Sequence, residues 1–269
     1  MGSTDLLARY RGFLIDIDGV LVRGGKPIPG AADALDNLSK RGSVVLLTNN
    51  STRSRVRHVE NLRTLGFDID PDGLLSSSYL AAEHLRRGGE TLRVWVLGEE
   101  GLREELQQAG HRLASAPAEA EALVVGMDRS ITYETLANAL TALRAGAQFI
   151  ATNEDGTFPA EDGFLPGAGA MVGALRGMGF APDAVIGKPS PLAFRAALMQ
   201  AGSDISQAAM IGDRLETDIA GAHASGIDTV LVLSGVAGRD DIDRSGIRPT
   251  WIAEDLAAFA DGRADPAGD

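Results

Sequence analysis

Phe13-Leu14-Ile15-Asp16-Ile17-Asp18-Gly19-Val20 is a short apolar run that leads into two carboxylates at i and i+2 and stops at a glycine. The run predicts a buried strand over 13–17. On a strand continued that far, Asp16 and Asp18 share a face, because side chains alternate with period two. Two carboxylates at the carboxyl end of a buried strand are costly without a cation to neutralise them. A hard divalent ion meets that need, and Mg2+ fits because it takes oxygen ligands. Such a pairing points to phosphate chemistry. An acidic loop carries D-x-D by chance, however, so the decision falls on three further stretches.

Ser43-Val44-Val45-Leu46-Leu47-Thr48-Asn49-Asn50-Ser51 is a second apolar run ending in small polar groups, followed by a helical pattern over 52–65. A hydroxyl, amides and the free N–H groups of a helix start make a phosphate cradle. Thr48, Asn49 and Ser51 serve equally well as plain helix caps. Gly187-Lys188-Pro189-Ser190-Pro191 opens another helix, with Ser190 as N-cap and Pro191 at its first position. Lysine occurs only at Lys26, Lys40 and Lys188. Lys188, fixed between a glycine and a proline, can hold a phosphate oxygen and a carboxylate together, or it is a solvated loop lysine. In Ala208-Ala209-Met210-Ile211-Gly212-Asp213-Arg214-Leu215-Glu216-Thr217-Asp218 a strand again ends at an acid, and a second acid follows at a helix start. Asp213 is a candidate metal ligand with Asp218 orienting the ligand shell. Alternatively, Asp218 only favours the positive end of the helix. Gly19 allows close backbone approach to a phosphate, or simply makes a turn.

Between and around these stretches strand and helix patterns alternate. Strand 13–17 leads to a helix over 31–41, strand 43–47 to helix 52–65, and a helix over 79–87 follows with Ser78 as cap. Helix 190–200, strand 208–211, helix 217–224 and strand 228–233 close the pattern. Near-continuous apolar strands alternating with helices predict a parallel sheet covered on both faces, with ligands at the carboxyl ends of the strands. All four polar stretches fall at that edge. The middle third carries its own pattern: strand 92–97, helix 99–109, strand 122–126, helix 132–145, strand 147–151 and helix 168–178. The fold class is therefore α/β: a Rossmann-like three-layer parallel-sheet core with an inserted α/β cap domain. The boundaries fall at 1–81 and 184–269 for the core and 82–183 for the cap, with Gly88-Gly89 and Pro182-Asp183 as hinges. The polar tail Asp261–Asp269 reads as frayed.

Asp16-Ile17-Asp18-Gly19-Val20, Thr48-Asn49-Asn50, Gly187-Lys188-Pro189 and Gly212-Asp213 with Thr217-Asp218 resemble, in order and spacing, the four motifs of the haloacid dehalogenase (HAD) superfamily. The likeness is to its phosphatase branch with a C2-type cap between the second and third motifs, the NagD-like, p-nitrophenyl-phosphatase-like and pyridoxal-phosphatase-like proteins. It extends over Pro27-Ile28-Pro29-Gly30 and Leu233-Ser234-Gly235. This resemblance implies that Asp16 is the nucleophile, forming an aspartyl-phosphate, and that Asp18 is the general acid and then the base. It implies Mg2+ held by Asp16, Asp213 and the Asp18 backbone carbonyl, with Asp218 behind them. Gly19, Thr48, Asn49, Asn50 and Lys188 would contact the phosphate, and Asn153, Asp155 and Phe158 would lie near the mouth of the site, where the residues alone read equally as a plain loop. The substrate implied is a small phosphate monoester: a sugar phosphate, nucleotide, glycerol phosphate or aryl phosphate. Caps of this type often pair, so a homodimer is expected.

Rival readings each miss a feature. A phospho-acceptor signalling domain, or a non-catalytic phosphate-binding domain, also carries acids, a Thr and a Lys at strand ends, but the former has no general acid two residues after its aspartate and no cap. A dinucleotide-binding module needs G-x-G-x-x-G after the first strand, which is absent. Superfamily mutases carry a helical cap between the first two motifs, and dehalogenases lack the second aspartate.

Composition narrows the field further. A chain of 269 residues with 44% hydrophobic content can bury a large core. There is no cysteine, which excludes disulfides, thiolate nucleophiles and zinc–thiolate sites. His58, His84, His111 and His223 show no ligand spacing, and solvated or capping roles are expected. A net charge of −12 argues against nucleic acid as a partner. No apolar run is long enough to span a bilayer, so no membrane partner is expected. Met1-Gly2-Ser3-Thr4-Asp5 has neither a basic region nor an apolar core, so no secretory signal is expected and a cytoplasmic location is.

Overall fold

The computed structural model describes residues 6–160 and 163–267. The opening Met1–Asp5, and the reading made of it, lie outside the described residues. The chain forms two compact units, Met1–Thr48 with Val59–Leu75 and Lys188–Asp269, and Asn49–His58 with Ser76–Gly187. Gly88-Gly89 and Pro182-Asp183 both lie inside the second unit.

The first unit is built on a sheet of seven strands among the described residues. Their order across the sheet is Asp265–Pro266, Trp251–Ala253, Asp228–Val232, Ala208–Gly212, Gly12–Ile15, Ser43–Thr48 and Leu74–Ser76. The opening strand sits inside it, pairing parallel with Ala208–Gly212 (Gly12 opposite Ala208) and with Ser43–Thr48 (Gly12 opposite Ser43). Burial on both faces explains the unbroken apolar runs. The helix Ala31–Ser39 buries Ala31, Ala34, Leu35 and Leu38, the spacing of a single apolar face. The Asp265–Pro266 strand pairs antiparallel with Trp251–Ala253, so the tail expected to fray is partly an edge strand.

The opening strand is shorter than predicted. It ends at Ile15, and the chain then turns: Leu21 and Val22 N–H donate to the Ile17 carbonyl, and Gly19 N–H to the Val22 carbonyl at 2.7 Å. Gly19 holds φ 87°, which suits glycine alone. Asp16 N–H still reaches the Ile211 carbonyl at 2.9 Å, so Asp16 stays in line with the sheet while Asp18 belongs to the turn.

The second unit holds a five-stranded parallel sheet in the order Ala184–Val185, Gln148–Ala151, Ala122–Val125, Arg93–Leu97, Arg112–Leu113. Tyr133–Arg144 begins at Thr132, whose hydroxyl accepts from Thr135 N–H while the Thr135 hydroxyl accepts from Thr132 N–H. Its Ala139, Ala142 and Leu143 pack with Leu123, Val125, Phe149 and Leu175 in this unit's core.

The helix predicted over 52–65 begins only at Arg55. Residues 51–54 are held by the second unit instead. Gly101 N–H donates to the Thr52 carbonyl, and a Cβ on Gly101 would lie 2.1 Å from the Arg53 carbonyl carbon. Met127 N–H donates to Ser51 Oγ at 3.3 Å. The buried Glu105 carboxylate accepts Arg55 N–H, a negative cap on the first turn.

His58 and His111, expected at the surface or as caps, are both buried. His58 Nε2 lies 3.1 Å from the Asn50 carbonyl and donates to it. Burial pushes the His58 pKa down to about 4, against the pull of that hydrogen bond. Between the ordinary value near 6.5 and about 4, the unfolded chain binds a proton that the folded one refuses, so stability falls as pH falls through that window. The loss should reach on the order of 3 kcal/mol. Urea unfolding of wild type and His58→Gln at neutral pH and near pH 4.5 checks this: the variant should show a shallower acid limb, and parallel limbs would sink the assignment.

Candidate active site

The carboxyl edge of the first unit's sheet gathers the charged residues. Asp16 follows the opening strand, Thr48 ends the strand beside it, and Asp213 follows Ala208–Gly212 on the other side. All three are buried. The chain then makes a wide π-helical turn, Leu215–Ile219, before the α-helix Ala220–Ala224, where a plain helix over 217–224 was predicted. This turn carries Asp218 back beneath Asp213. Asp218 Oδ2 accepts N–H from Asp213 at 3.2 Å and Arg214 at 3.0 Å. A Cβ on Gly212 would lie 2.4 Å from the Asp218 Cβ, so the approach depends on that glycine.

Lys188 comes from the loop before the Pro191–Ala201 helix, which is capped by Ser190 as predicted. It is 2% exposed, and its Nζ lies 2.7 Å from Asp16 Oδ1 and 2.7 Å from Asp218 Oδ1. Burial alone would push the ammonium pKa down, but the two carboxylates overcome it and hold it above its ordinary value. Burial pushes the Asp16 carboxyl well up. Lys188 pulls it back, and the charges of Asp218, Asp213 and Asp18 push it up again. Burial, then Asp218, drives Asp213 up to about 7, with Val236 N–H opposing.

Carboxylate oxygens of Asp16, Asp213 and Asp218 all lie within 4.8 Å of one another, close enough to hold one metal ion. Two observations fit a cation. Four carboxylates, Asp16, Asp18, Asp213 and Asp218, act on the site against the buried Lys188 ammonium and the Arg214 guanidinium. Asp213 Oδ1 is buried with no hydrogen-bond partner among the described residues, an expensive state for a charged oxygen unless an ion meets it. Because Asp218 already spends its two oxygens on Lys188 and on backbone N–H groups, Asp16 and Asp213 are the better ligands.

The remaining expected residues sit as follows. Asp18 is half-buried in the turn, and Gly19 comes so close to Asp213 that a Cβ there would lie 2.1 Å from Asp213 Oδ2. Asn49 and Asn50 belong to the second unit. Asn49 Nδ2 donates to Asp155 Oδ2 at 3.0 Å, and its carbonyl accepts from Ser77 Oγ and Asn153 Nδ2. Asn50 Oδ1 accepts from Thr52 N–H and hydroxyl, closing a local turn. Ser234 and Gly235, quoted in the sequence only for their likeness, touch the site directly. Ser234 Oγ donates to the Gly19 carbonyl at 2.7 Å. Their signal was positional: they follow the strand adjacent to the one that carries Asp213.

Residues 13–112 match the family of haloacid dehalogenase-like hydrolases, and residues 185–259 the HAD-hydrolase-like family. An acid sugar phosphatase of Staphylococcus epidermidis is 36% identical over 252 residues, 93% of this chain and 96% of that protein. The solved p-nitrophenyl phosphatase from Archaeoglobus fulgidus superposes with a TM-score of 0.89 at 40% identity, over 94% of this chain and 98% of that one. A glycerol phosphate phosphatase from Mycobacterium tuberculosis, solved in complex with magnesium, gives a TM-score of 0.85 at 36% identity, over 94% of this chain and 77% of that one. Likeness at this level along nearly the full length means that the chain belongs to the haloacid dehalogenase superfamily, in its NagD-like, p-nitrophenyl-phosphatase-like branch.

Proposed function

We propose that the protein is a Mg2+-dependent phosphatase that hydrolyses small phosphate monoesters through an aspartyl-phosphate on Asp16. The observation that carries this is the buried Asp16 carboxylate, paired with Lys188 and clustered with Asp213, whose buried Oδ1 has no hydrogen-bond partner among the described residues. A phosphatase of sugar, glycerol or aryl phosphates is the activity named for the relatives above.

An Asp16 oxygen attacks phosphorus while the ester P–O bond breaks, and Asp18 gives its proton to the departing alkoxide. Water then attacks the aspartyl-phosphate, Asp18 takes the proton back, and inorganic phosphate leaves with Asp16 restored. Lys188 and Thr48 hold the phosphoryl oxygens, where positioning and charge neutralisation supply most of the catalysis. Asp16 and Asp213, with the Asp18 carbonyl, would hold Mg2+, and the ion would supply the positive charge that lets the carboxylates and a phosphate share one site. Selectivity among esters is assigned to the insertion, read as residues 82–183. The acidic net charge supports a soluble metabolite over nucleic acid. No helix among the described residues is long and apolar enough to cross a membrane, which fits the cytoplasmic reading.

Chelation tests the cation. With p-nitrophenyl phosphate as substrate, EDTA should lower turnover roughly a hundred-fold or more, and added Mg2+ should restore it. Full activity in excess chelator would sink the metal-dependent reading.

A further inference from the structure

We infer that the loop Ser234-Gly235-Val236, which follows the Asp228–Val232 strand, is a positioning element that decides which oxygen of Asp213 meets the cation. The inference rests on the metal-dependent reading above and adds residues to it.

The two oxygens of Asp213 are treated unequally. Oδ2 accepts the Val236 N–H at 2.8 Å, and Ala237 N–H reaches the Asp213 backbone carbonyl at 3.1 Å. A Cβ built on Gly235 would lie 2.0 Å from Oδ2, and one built on Gly19 2.1 Å from it. The Oδ2 oxygen therefore occupies space that exists only because both residues lack side chains. Oδ1, in contrast, is buried without a partner among the described residues. One oxygen fixed by a backbone donor and the other left open is the arrangement a monodentate ligand requires.

The loop also holds the turn that carries Gly19. Ser234 Oγ donates to the Gly19 carbonyl at 2.7 Å, and Arg23 Nη1 donates to the Ser234 carbonyl at 3.1 Å. Gly19 is the residue after Asp18, whose carbonyl is assigned to the cation. One short loop thus ties the Asp213 carboxylate and the turn after Asp16 into one geometry. A shift of a few tenths of an ångström in either is felt at the metal before it is felt in the core.

The probe is Mn2+, its binding to the full-length protein read by electron paramagnetic resonance. It is measured beside the Mg2+ concentration that gives half-maximal activity, the KM for p-nitrophenyl phosphate at saturating Mg2+, and the metal-free melting temperature. Wild type should bind Mn2+ and Asp213→Asn should not; no binding by wild type would overturn the metal-dependent reading rather than the loop's role. Ser234→Ala should weaken Mn2+ binding about five-fold, the worth of one hydrogen bond, and Ser234→Thr should recover it. Gly235→Ala should weaken it on the order of ten-fold or more, because the added methyl displaces Oδ2. KM for the ester should move little in each. Wild-type Mn2+ affinity in a folded Ser234→Ala protein overturns the inference, as does an equal loss in Ser234→Thr. So does a lowered melting temperature with unchanged metal affinity. If Gly235→Ala does not fold, the two serine variants decide.

Discussion

Asp16→Asn should abolish turnover, with kcat down on the order of 10^5-fold, while leaving the protein folded and as stable as wild type or more so. The two halves of that result share one cause. A buried carboxylate whose pKa is raised by burial is held in a state the fold disfavours. The amide keeps the shape, loses the proposed nucleophile and removes the cost. Asp18→Asn should behave differently, slowing turnover by roughly 10^2- to 10^4-fold, the contribution of a general acid and base. It should still accept a beryllium fluoride adduct on Asp16, visible by native mass spectrometry, whereas Asp16→Asn should form none. Wild-type turnover by Asp16→Asn would require another nucleophile, and the chain has no cysteine to offer.

Lys188→Met should do the opposite to stability. Lys188 is the buried cation between Asp16 and Asp218, and removing it leaves two buried carboxylates without their partner. Breaking a buried pair in this way costs about 3–5 kcal/mol. Activity should collapse as well, since the ammonium proposed to hold the phosphoryl oxygens is gone. The pH dependence gives a sharper signature. Asp16 has a folded pKa above its unfolded one, so its favourable contribution is present at low pH and lost as pH rises through the folded value. Without Lys188 that value moves higher still. The variant should therefore lose most stability at neutral to alkaline pH and recover toward wild type as the solution is acidified. Urea unfolding across pH measures it, and a pH-independent deficit would mean that Lys188 acts through packing alone. Adding Asp16→Asn to Lys188→Met should restore part of the loss, because one unpaired charge has been removed.

The charged cluster was legible because each member ends an apolar run or sits between residues that fix the backbone. Thr48 ends a strand, Asp16 and Asp213 each follow one directly, and Lys188 stands between Gly187 and Pro189. The details set by distant neighbours were not. The helix start moved from 52 to Arg55 because Ser51 and Thr52 bond to Met127 and Gly101, which no local rule reveals. Leu74–Ser76, Trp251–Ala253 and Asp265–Pro266 are too short to show a period, and exist because a longer strand offers an edge. The buried His58 looked like any helical histidine, since what buries it comes from elsewhere in the chain. Ser234 and Gly235 carry no chemistry in isolation. Their part depends on strand order, which places them beside Asp213.

The position of the opening strand also governs how the molecule is made. Phe13 pairs with Ala209 on one side and Val44 on the other. During synthesis this strand emerges well before Ala208–Gly212, the partner on its other flank. The second unit's strands, all between Arg93 and Val185, precede it in the chain and can pair first. The first unit's sheet thus closes only when strands far apart in sequence meet. Until Ala208–Gly212 arrives, the opening strand presents an apolar edge open to any passing strand. A chain cut short before that point would leave this edge open and lack Asp213 and Asp218.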